Sequence, residues 1–350
     1  MKFGGGASGG FYTEIGRTTL SGTASTINVS YTDKPYVMIL ISWARETSPS
    51  ADPKGQLGDS SADTDSDYAR RLSEGGGSDS TNTGVDYFTQ WATGSGSTVR
   101  NFQVIPFINN ASSEKIIQER GCFAGATGSG SAPYRTENVA SWTETSAQAG
   151  YFSYVGGGTT FSSGSEVVVL GYDPADNTGT SAWELLGSDT LTSDGTTLEV
   201  SFTAKKYLMV QMSYSGATNG ATDAILRVGA GSIDAGTNYC DRLSVNGGSD
   251  TTQTGASSWY NSFCWAGFSG VDTWHTTDIM ICNPDGQEKN GIGFCNRSNT
   301  VSAGTASYRV EAVGKYTESG QINKIQLTGS GGSATQNYAS GSTISVWGFD

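Results

Sequence analysis

Residues 14–44 read EIGRTTLSGTASTINVSYTDKPYVMILISWA, and residues 185–215 read LLGSDTLTSDGTTLEVSFTAKKYLMVQMSYS. The two stretches align without a gap at a constant shift of 171 positions, which places Tyr36 on Tyr207. Internal similarity at a fixed shift is the signature of a repeated structural unit. The chain is therefore predicted to contain two copies of one domain.

The similarity continues towards the end of each copy. Residues 68–84 match residues 239–255 at the same shift of 171 positions. The closing segments Ser163–Asp173 (SGSEVVVLGYD) and Ser340–Asp350 (SGSTISVWGFD) match at a shift of 177 positions, so the second copy has gained a few loop residues. The predicted organisation is a Gly-rich arm at residues 1–13, a first domain at 14–173, a linker at 174–184 and a second domain at 185–350.

Composition and periodicity predict an all-β fold. The chain has 49 Gly, 7 Pro and 11% aromatic residues, and only 15% of its residues are charged. Residues 26–31 alternate apolar and polar side chains, as a half-buried strand does, and residues 36–41 form one apolar run. About eight short strands per copy fit an antiparallel β-sandwich of jelly-roll type. Only residues 112–118 offer a possible turn of helix.

The charge and hydropathy of the sequence limit the classes of partner that the protein is expected to bind. The chain has 20 Lys and Arg against 33 Asp and Glu, a net charge of −13, so its surface repels phosphate backbones and no nucleic-acid partner is predicted. The opening residues contain no apolar core of a secretory signal. The longest apolar run is too short to span a membrane, so no membrane partner is predicted and synthesis in the cytoplasm is expected.

The five cysteines, Cys122, Cys240, Cys264, Cys282 and Cys295, form no CxxC pair. An odd number without paired spacing predicts neither a zinc ribbon nor a closed disulfide framework. Buried free thiols are the expected state. A disulfide among the last three cysteines is the alternative that spacing leaves open.

The metal-site candidates are Asp63, Asp65 and Asp67. Together with Glu74 they have the oxygen spacing of an EF-hand loop. The EF-hand pattern requires Gly at the sixth position, where this chain has Tyr68, and it requires flanking helices. We therefore interpret the segment as an acidic, solvated loop and predict no metal and no other cofactor.

Few residues suggest catalysis. His275 is the only histidine and has no counterpart in the first copy, and no nucleophile motif in a strand-turn-helix context accompanies it. Glu137 and Glu311 occupy matching positions, each two residues after an arginine. Because strand residues two apart share a face, these are expected to be Arg–Glu pairs rather than glycosidase acids. The chain is predicted not to be an enzyme.

Two further patterns could bind a ligand. Trp259, Trp265 and Trp274 cluster in a loop-rich part of the second copy and are the candidates for stacking on a sugar. Residues 76–84 and 247–255 share the pattern Gly-Gly-Ser-Asp-x-Thr-x-Thr-Gly. That pattern is interpreted as a tight connection whose glycines adopt positive φ, with a ligand loop as the alternative.

The closing pattern, Ser-Gly-Ser-x-(Val/Ile)-x-Val-(Leu/Trp)-Gly-aromatic-Asp, resembles the C-terminal strands of β-sandwich domains common in tailed-phage virion proteins. The segments Tyr68–Leu72 and Tyr134–Glu137, with their second-copy counterparts, resemble the same family. The resemblance covers both copies. It implies a virion component and does not distinguish head decoration, fibre and tail appendage.

The resulting prediction is a non-enzymatic structural protein on the outer surface of a tailed-phage virion, either a capsid decoration or an appendage. Its expected partners are copies of itself and other virion proteins such as the capsid lattice. The resemblance favours a homo-oligomer, and a trimer among these. A double jelly-roll major capsid protein and a tail or fibre module that binds host-surface glycan are the alternatives.

Overall fold

The chain folds as two β-sandwich units. The computed structural model describes residues 12–46, 52–90, 99–158, 160–176, 180–217, 220–260, 263, 266–268, 273–297, 306–329 and 337–350. Within these residues every regular element is a β-strand. The described part of the chain has no helix long and apolar enough to cross a membrane. The first unit comprises the chain up to Ala126 and Tyr134–Trp183, and the second comprises Thr127–Pro133 and Glu184–Asp350.

The first unit contains twelve strands. They are β1 Thr13–Thr19, β2 Thr26–Ser30, β3 Tyr36–Trp43, β4 Lys54–Gly58, β5 Tyr68–Glu74, β6 Ser80–Val85, β7 Thr89–Gln90, β8 Asn101–Ile108, β9 Lys115–Phe123, β10 Tyr134–Trp142, β11 Tyr151–Val155 and β12 Glu166–Tyr172.

Eight of these strands form a jelly roll. One layer has the order β1-β12-β3-β8 and the other has the order β2-β11-β4-β7. The remaining strands continue the first layer in the order β9-β10-β5-β6, so that layer becomes an eight-stranded sheet. All of these pairings are antiparallel. The extension is absent from a minimal jelly roll, and it widens one sheet well beyond the other.

The described residues of the second unit form thirteen strands. They are β13 Glu184–Thr190, β14 Thr197–Ser201, β15 Tyr207–Ser215, β16 Gly220–Gly229, β17 Tyr239–Val245, β18 Thr251–Ala256, β19 Trp259–Tyr260, β20 Ala266–Phe268, β21 Trp274–Cys282, β22 Lys289–Arg297, β23 Tyr308–Tyr316, β24 Lys324–Gly329 and β25 Thr343–Phe349.

The second unit repeats the first strand for strand. Its sheets have the orders β13-β25-β15-β21-β22-β23-β17-β18 and β14-β24-β16-β19, and β20 is an additional strand that pairs with β16. The registers agree as well. Tyr36 lies between Tyr172 and Ile108, and its counterpart Tyr207 lies between Phe349 and Cys282. The prediction of two tandem jelly-roll-like sandwiches from a duplication is confirmed.

Each core lies between the two sheets of its unit. In β3 the side chains of Val37, Ile39 and Ile41 are completely buried, and in β15 Leu208 and Val210 occupy the same positions. Strand alternation places these side chains on one face of the sheet. Full burial of each contributes about 1.5–3 kcal/mol of transfer free energy. The apolar runs that the two copies share are therefore the inner faces of the sandwiches.

Three segments differ from the sequence-based expectation. Residues 174–176 and 180–183, expected in the linker, belong to the first unit, where the Ala182 N–H donates to the Tyr12 carbonyl over 2.7 Å. Residues 127–133, expected in the first domain, belong to the second unit. Residues 115–118 open strand β9 rather than a helical turn, because Ile116 is exposed and Ile117 is buried. That two-residue alternation belongs to a strand.

Four of the cysteines are buried free thiols. They are Cys122, Cys240, Cys282 and Cys295. Cys264 lies outside the described residues. Burial raises the pKa of Cys240 to about 12, with a smaller opposing effect of the Lys315 charge. A thiol with so high a pKa is protonated at neutral pH and is a poor nucleophile.

Candidate functional site

The acidic loop after β4 brings its three aspartates together. Carboxylate oxygens of Asp63, Asp65 and Asp67 all lie within 4.8 Å of one another, and the last two side chains are exposed. Asp63 has other partners. One of its oxygens accepts the Asp65 N–H over 2.9 Å, and the other accepts the Trp142 indole N–H over 2.7 Å. Asp63 therefore stabilises its own turn and anchors a buried tryptophan.

The second unit has the same loop with only one of the aspartates. Asp234 accepts the Gly236 N–H over 2.6 Å and the side-chain amide of Asn238 over 2.8 Å. The loop begins with a glycine in both units, and a Cβ on Gly58 or Gly229 would lie 1.7 or 1.8 Å from a backbone carbonyl oxygen. The shared feature is thus the tight backbone path rather than a set of three carboxylates.

A buried tyrosine holds this loop in each unit. Tyr68 Oη donates to the Leu57 carbonyl over 2.9 Å and accepts the Leu57 N–H over 3.0 Å. Tyr239 makes the same pair with Val228, at 2.8 and 3.0 Å. Buried backbone groups without partners are costly, so each hydroxyl satisfies two groups at once. This arrangement explains why a tyrosine occupies this position in both copies.

The three tryptophans proposed for sugar binding differ in exposure. Trp259 is completely buried, with ring contacts to Tyr239 at 5.7 Å and Phe263 at 5.0 Å. A ring enclosed in the core cannot stack on a ligand, so Trp259 is a core residue. Trp274 is 41% exposed on β21 and remains available. Trp265 lies outside the described residues.

The charged pairs on β10 and β23 lie as the alternation predicted. Arg135 and Glu137 are 2.7 Å apart, and Arg309 and Glu311 are 3.1 Å apart. Each arginine pairs with the carboxylate that would otherwise be a glycosidase candidate. His275 is completely buried and stacks on Tyr214 at a ring separation of 5.0 Å. His275 is thus enclosed, and Glu137 and Glu311 are each held in an ion pair.

The Gly-Gly-Ser-Asp pattern forms hairpin connections. It joins β5 to β6 and β17 to β18. Gly76 has φ of 75° and Gly247 has φ of 72°, the left-handed region that favours glycine. Asp79 lies 3.7 Å from Arg71, and Asp250 makes the matching contact with Arg242 at 3.8 Å. The pattern is therefore a tight connection, as interpreted from the sequence.

A buried polar cluster in the first unit was not predicted. Glu119 on β9 is 2% exposed and accepts from the side-chain amides of Gln103 at 2.5 Å and Asn138 at 3.0 Å. Gln103 in turn accepts the Trp43 indole N–H over 3.3 Å. Sequence reasoning could have found this cluster from the polar residues that occupy inward positions on three adjacent strands. The cluster provides hydrogen-bond donors for a carboxylate that is buried inside the sandwich.

Two buried lysines also went unpredicted. Lys289 donates to the carbonyls of Gln287, Glu318 and Ser319 at 2.5, 2.9 and 2.6 Å, and Lys115 occupies the same position in the first unit. Desolvation lowers the pKa of both amines, that of Lys289 to about 8. Each amine ties together loop carbonyls at one end of the sandwich.

The two units differ in exposure at four positions on the outer face of the eight-stranded sheet, the face that points away from the smaller sheet. In the first unit this face carries an apolar stripe, defined here as Tyr36, Ile108, Ile116 and Val139, on the adjacent strands β3, β8, β9 and β10. These side chains are 39%, 59%, 55% and 53% exposed.

The equivalent positions of the second unit are buried. Strand registers place Tyr207, Cys282, Asn290 and Val313 at the positions of the stripe. Their exposed fractions are 0%, 1%, 1% and 1%. At these four positions the side chains are therefore exposed in the first unit and buried in the second, whereas Leu40, Phe102 and Val104, on the same outer face of the first unit, are buried.

The segment Thr127–Pro133 makes several hydrogen bonds within the second unit. Its Gly128 N–H donates to Glu288 over 2.6 Å. Its carbonyls accept from the Cys240 thiol over 3.2 Å and from the Arg242 guanidinium over 2.8 Å. The segment, TGSGSAP, has only small side chains, so its backbone can approach the sheet closely. These hydrogen bonds hold a Gly- and Ser-rich segment against β17 and against the residue that precedes β22.

Comparisons with known proteins add little. No family model and no curated protein matches the chain. A structure of the mouse laminin alpha1 chain, domains LG4-5, is 11% identical over 99% of this chain and 93% of its own, with a TM-score of 0.19. A mycobacterial arabinofuranosyltransferase is 7% identical over 92% of this chain and 32% of its own, with a TM-score of 0.12.

Proposed function

We propose that the chain is a non-enzymatic structural component on the outer surface of a tailed-phage virion, a capsid decoration or an appendage, which acts through protein–protein assembly. The observation that supports an assembly role is the apolar stripe of the first unit. Four apolar side chains lie on adjacent, hydrogen-bonded strands, so the surface is both hydrophobic and preorganised. The virion assignment is supported by the resemblance of the closing strands.

The remaining features fit a scaffold. The residues that both copies share hold loops and hairpins in place, as Tyr68 and Tyr239 do, and the paired Arg and Glu side chains satisfy each other. Selection for shape rather than reactivity would leave this pattern. The net charge of −13 keeps such a surface protein soluble and away from nucleic acid.

Image averaging of particles tests the proposal. Virus particles purified from cultures that produce the protein are imaged by electron cryomicroscopy, and a tagged chain locates the added density. Density at regular positions outside the shell supports the proposal. Density that forms the shell itself would assign a double jelly-roll major capsid protein instead. A protein that neither copurifies with particles nor binds them when added back contradicts a virion role.

A glycan-binding role is the second candidate, supported by Trp274. Its ring is 41% exposed, and a Cβ on Gly341 would lie 3.6 Å from its edge, so the ring rests on a small residue. Glycan-array binding that is lost in Trp274→Ala and retained in Tyr36→Ala, an equally exposed aromatic, would favour this role. Absence of binding by the intact protein would remove it.

A further inference from the structure

We propose that the second unit forms an intramolecular isopeptide bond between the side chains of Lys315 and Asn290. The bond is a covalent modification within one unit, so it does not depend on the proposed virion function. Its basis is a reactive cluster, defined here as the Lys315 amine, the Asn290 carboxamide and the Glu288 carboxylate. Lys315 and Asn290 are at most 1% exposed, and the Glu288 side chain is 18% exposed.

The sheet places the amine and the carboxamide directly opposite each other. Lys315 on β23 is the register partner of Asn290 on β22. Side chains of directly opposite residues leave the sheet on the same face, with Cβ atoms about 4.5–5.5 Å apart. The Lys315 side chain is therefore long enough to bring Nζ to the carboxamide carbon Cγ of Asn290. On its other side Lys315 is the partner of Cys240, whose thiol offers an amine no carbonyl carbon, so Asn290 is the electrophile of the two.

Glu288 lies where the reaction needs a proton carrier. Its Oε2 atom is 3.6 Å from Lys315 Nζ, while its Oε1 atom accepts the Gly128 N–H over 2.6 Å. One carboxylate oxygen is therefore anchored and the other faces the amine. A carboxylate in this position can act first as a general base and then as a general acid. Because the sheet holds both reacting groups side by side, the reaction is intramolecular and its entropic cost is already met by folding.

The bond forms without an oxidant or a co-reactant. Glu288 removes one proton from the Lys315 ammonium, and the Nζ lone pair attacks Cγ of Asn290, which forms the new C–N bond. The bond between Cγ and Nδ2 then breaks as Glu288 donates its proton to Nδ2, and Nζ gives its second proton to Glu288. The released ammonia takes that proton and leaves as ammonium. The products are a secondary amide, one ammonium ion and the original Glu288 carboxylate.

The first unit provides an internal reference. The residues at the positions of Asn290 and Lys315 are Ile116 and Ser141, which are also register partners. Neither side chain can take part in an amide bond. The fold therefore does not require a buried lysine at this position. Glu114 occupies the position of Glu288 and is exposed, so it supplies a matched carboxylate that has no amine to serve.

Mass spectrometry of the purified full-length chain is the first test. The denatured and reduced wild type is expected to be lighter than its sequence mass by about 17 Da, the mass of the ammonia released when the lysine amine displaces it. After digestion with trypsin, residues 290–297 and 310–324 are expected as one branched peptide, because an acylated Lys315 is not cleaved. A wild type that keeps its full sequence mass overturns the proposal.

The peptide map also separates this bond from another reaction of the same asparagine. Asn290 is followed by Gly291, and cyclisation of the Asn290 side chain onto the main chain would release ammonia as well. That product leaves the two peptides separate. Loss of ammonia with separate peptides therefore overturns the proposal, whereas fragment ions that join Lys315 to Asn290 support it.

Three variants test the roles of the groups. Glu288→Gln cannot accept the proton and is expected to slow bond formation by at least about 100-fold, so the purified variant keeps its full mass. Lys315→Arg keeps a cation but removes the nucleophilic amine, and it is also expected to keep its full mass. The matched control, Glu114→Gln, is expected to form the bond as the wild type does.

Circular dichroism shows whether each variant is folded. A folded Glu288→Gln protein that forms the branched peptide as fast as the wild type overturns the proton-transfer role of Glu288. If Glu288→Gln does not fold, Glu288→Asp replaces it, because the shorter carboxylate lies farther from Nζ and is expected to form the bond more slowly than the wild type. The branched peptide of the wild type requires no variant, so its presence or absence decides whether the bond exists.

Discussion

Replacing Tyr68 or Tyr239 by Phe isolates the interaction that shapes the loop after β4 and β16. Each hydroxyl satisfies a buried N–H and C=O of one residue, Leu57 or Val228, and each ring is at most 1% exposed. The ring still fills its place in the variant. The change therefore removes hydrogen bonds and leaves no cavity.

The magnitude follows from the groups left behind. In Tyr68→Phe the Leu57 carbonyl keeps the Asp63 N–H as a donor at 2.8 Å, so the principal loss is the acceptor of the Leu57 N–H. One unsatisfied buried N–H costs about 1–3 kcal/mol, which lowers Tm by about 2–12 °C for a unit of this size. Tyr239→Phe is expected to cost at least as much, since the Asp234 N–H still donates to the Val228 carbonyl at 3.0 Å but the Asp234 carbonyl loses the Tyr239 hydroxyl at 2.9 Å.

Scanning calorimetry and urea unfolding measure both variants, with Tyr36→Phe as the control. Tyr36 is 39% exposed, and its loss of a hydroxyl is expected to change stability by less than about 0.5 kcal/mol. Burial raises the pKa of Tyr68 and Tyr239 above the ordinary value of 10, so the stability that these groups provide falls as pH rises past 10. The Phe variants should therefore lose less stability above pH 10. Wild-type stability in either variant would refute the assigned role of the hydroxyl.

Three further predictions concern the second unit and the thiols. Gly293→Ala would place a Cβ 2.3 Å from the Phe263 ring and is expected to destabilise the protein by about 1–3 kcal/mol, whereas Gly22→Ala, with open space around it, is expected to have little effect on urea unfolding. In Cys264→Ser, a thiol reagent at pH 8 is expected to leave the folded protein unmodified and to react with four thiols after denaturation; rapid reaction of the folded protein would contradict burial. Because desolvation lowers the pKa of Lys289 to about 8 from 10.5, its charge opposes folding below pH 8 and the cost disappears towards pH 10.5. The stability of the wild type relative to Lys289→Met should then rise on the order of 1 kcal/mol between pH 7.5 and 9.5 in denaturant titrations, and an unchanged difference would argue against the shift.

Features encoded within a short stretch were predictable from the sequence. The duplication, the strands at residues 26–30 and 36–41, and the glycine-dependent hairpins all follow from local pattern and from comparing the chain with itself. The pairing of Arg135 with Glu137 required only the two-residue alternation of a strand. In each of these cases the interacting residues are close in sequence or the relevant period is short.

Features that depend on distant neighbours were not predictable. Alternation identifies the segment of β10 as a strand, but it does not show that β9 and β10 extend the larger sheet rather than pair elsewhere. Trp259 is buried by packing against Tyr239 and Phe263. Its position in a loop-rich stretch of sequence did not indicate that packing. The segment Thr127–Pro133 has no hydrophobic period, and its place in the second unit depends on its own backbone groups and on polar atoms far along the chain.

The different cores of the two units bear on how a duplicated chain avoids misfolding. Glu119 of β9 occupies the position of Gly293 in β22, where the Phe263 ring fills the space that a side chain would need. If β9 took the place of β22 during folding, it would press a carboxylate against that ring and leave Gln103 and Asn138 without their acceptor. Exchange of these strands between the two repeats is thus energetically unfavourable. This cost favours pairing of the strands of each unit with one another.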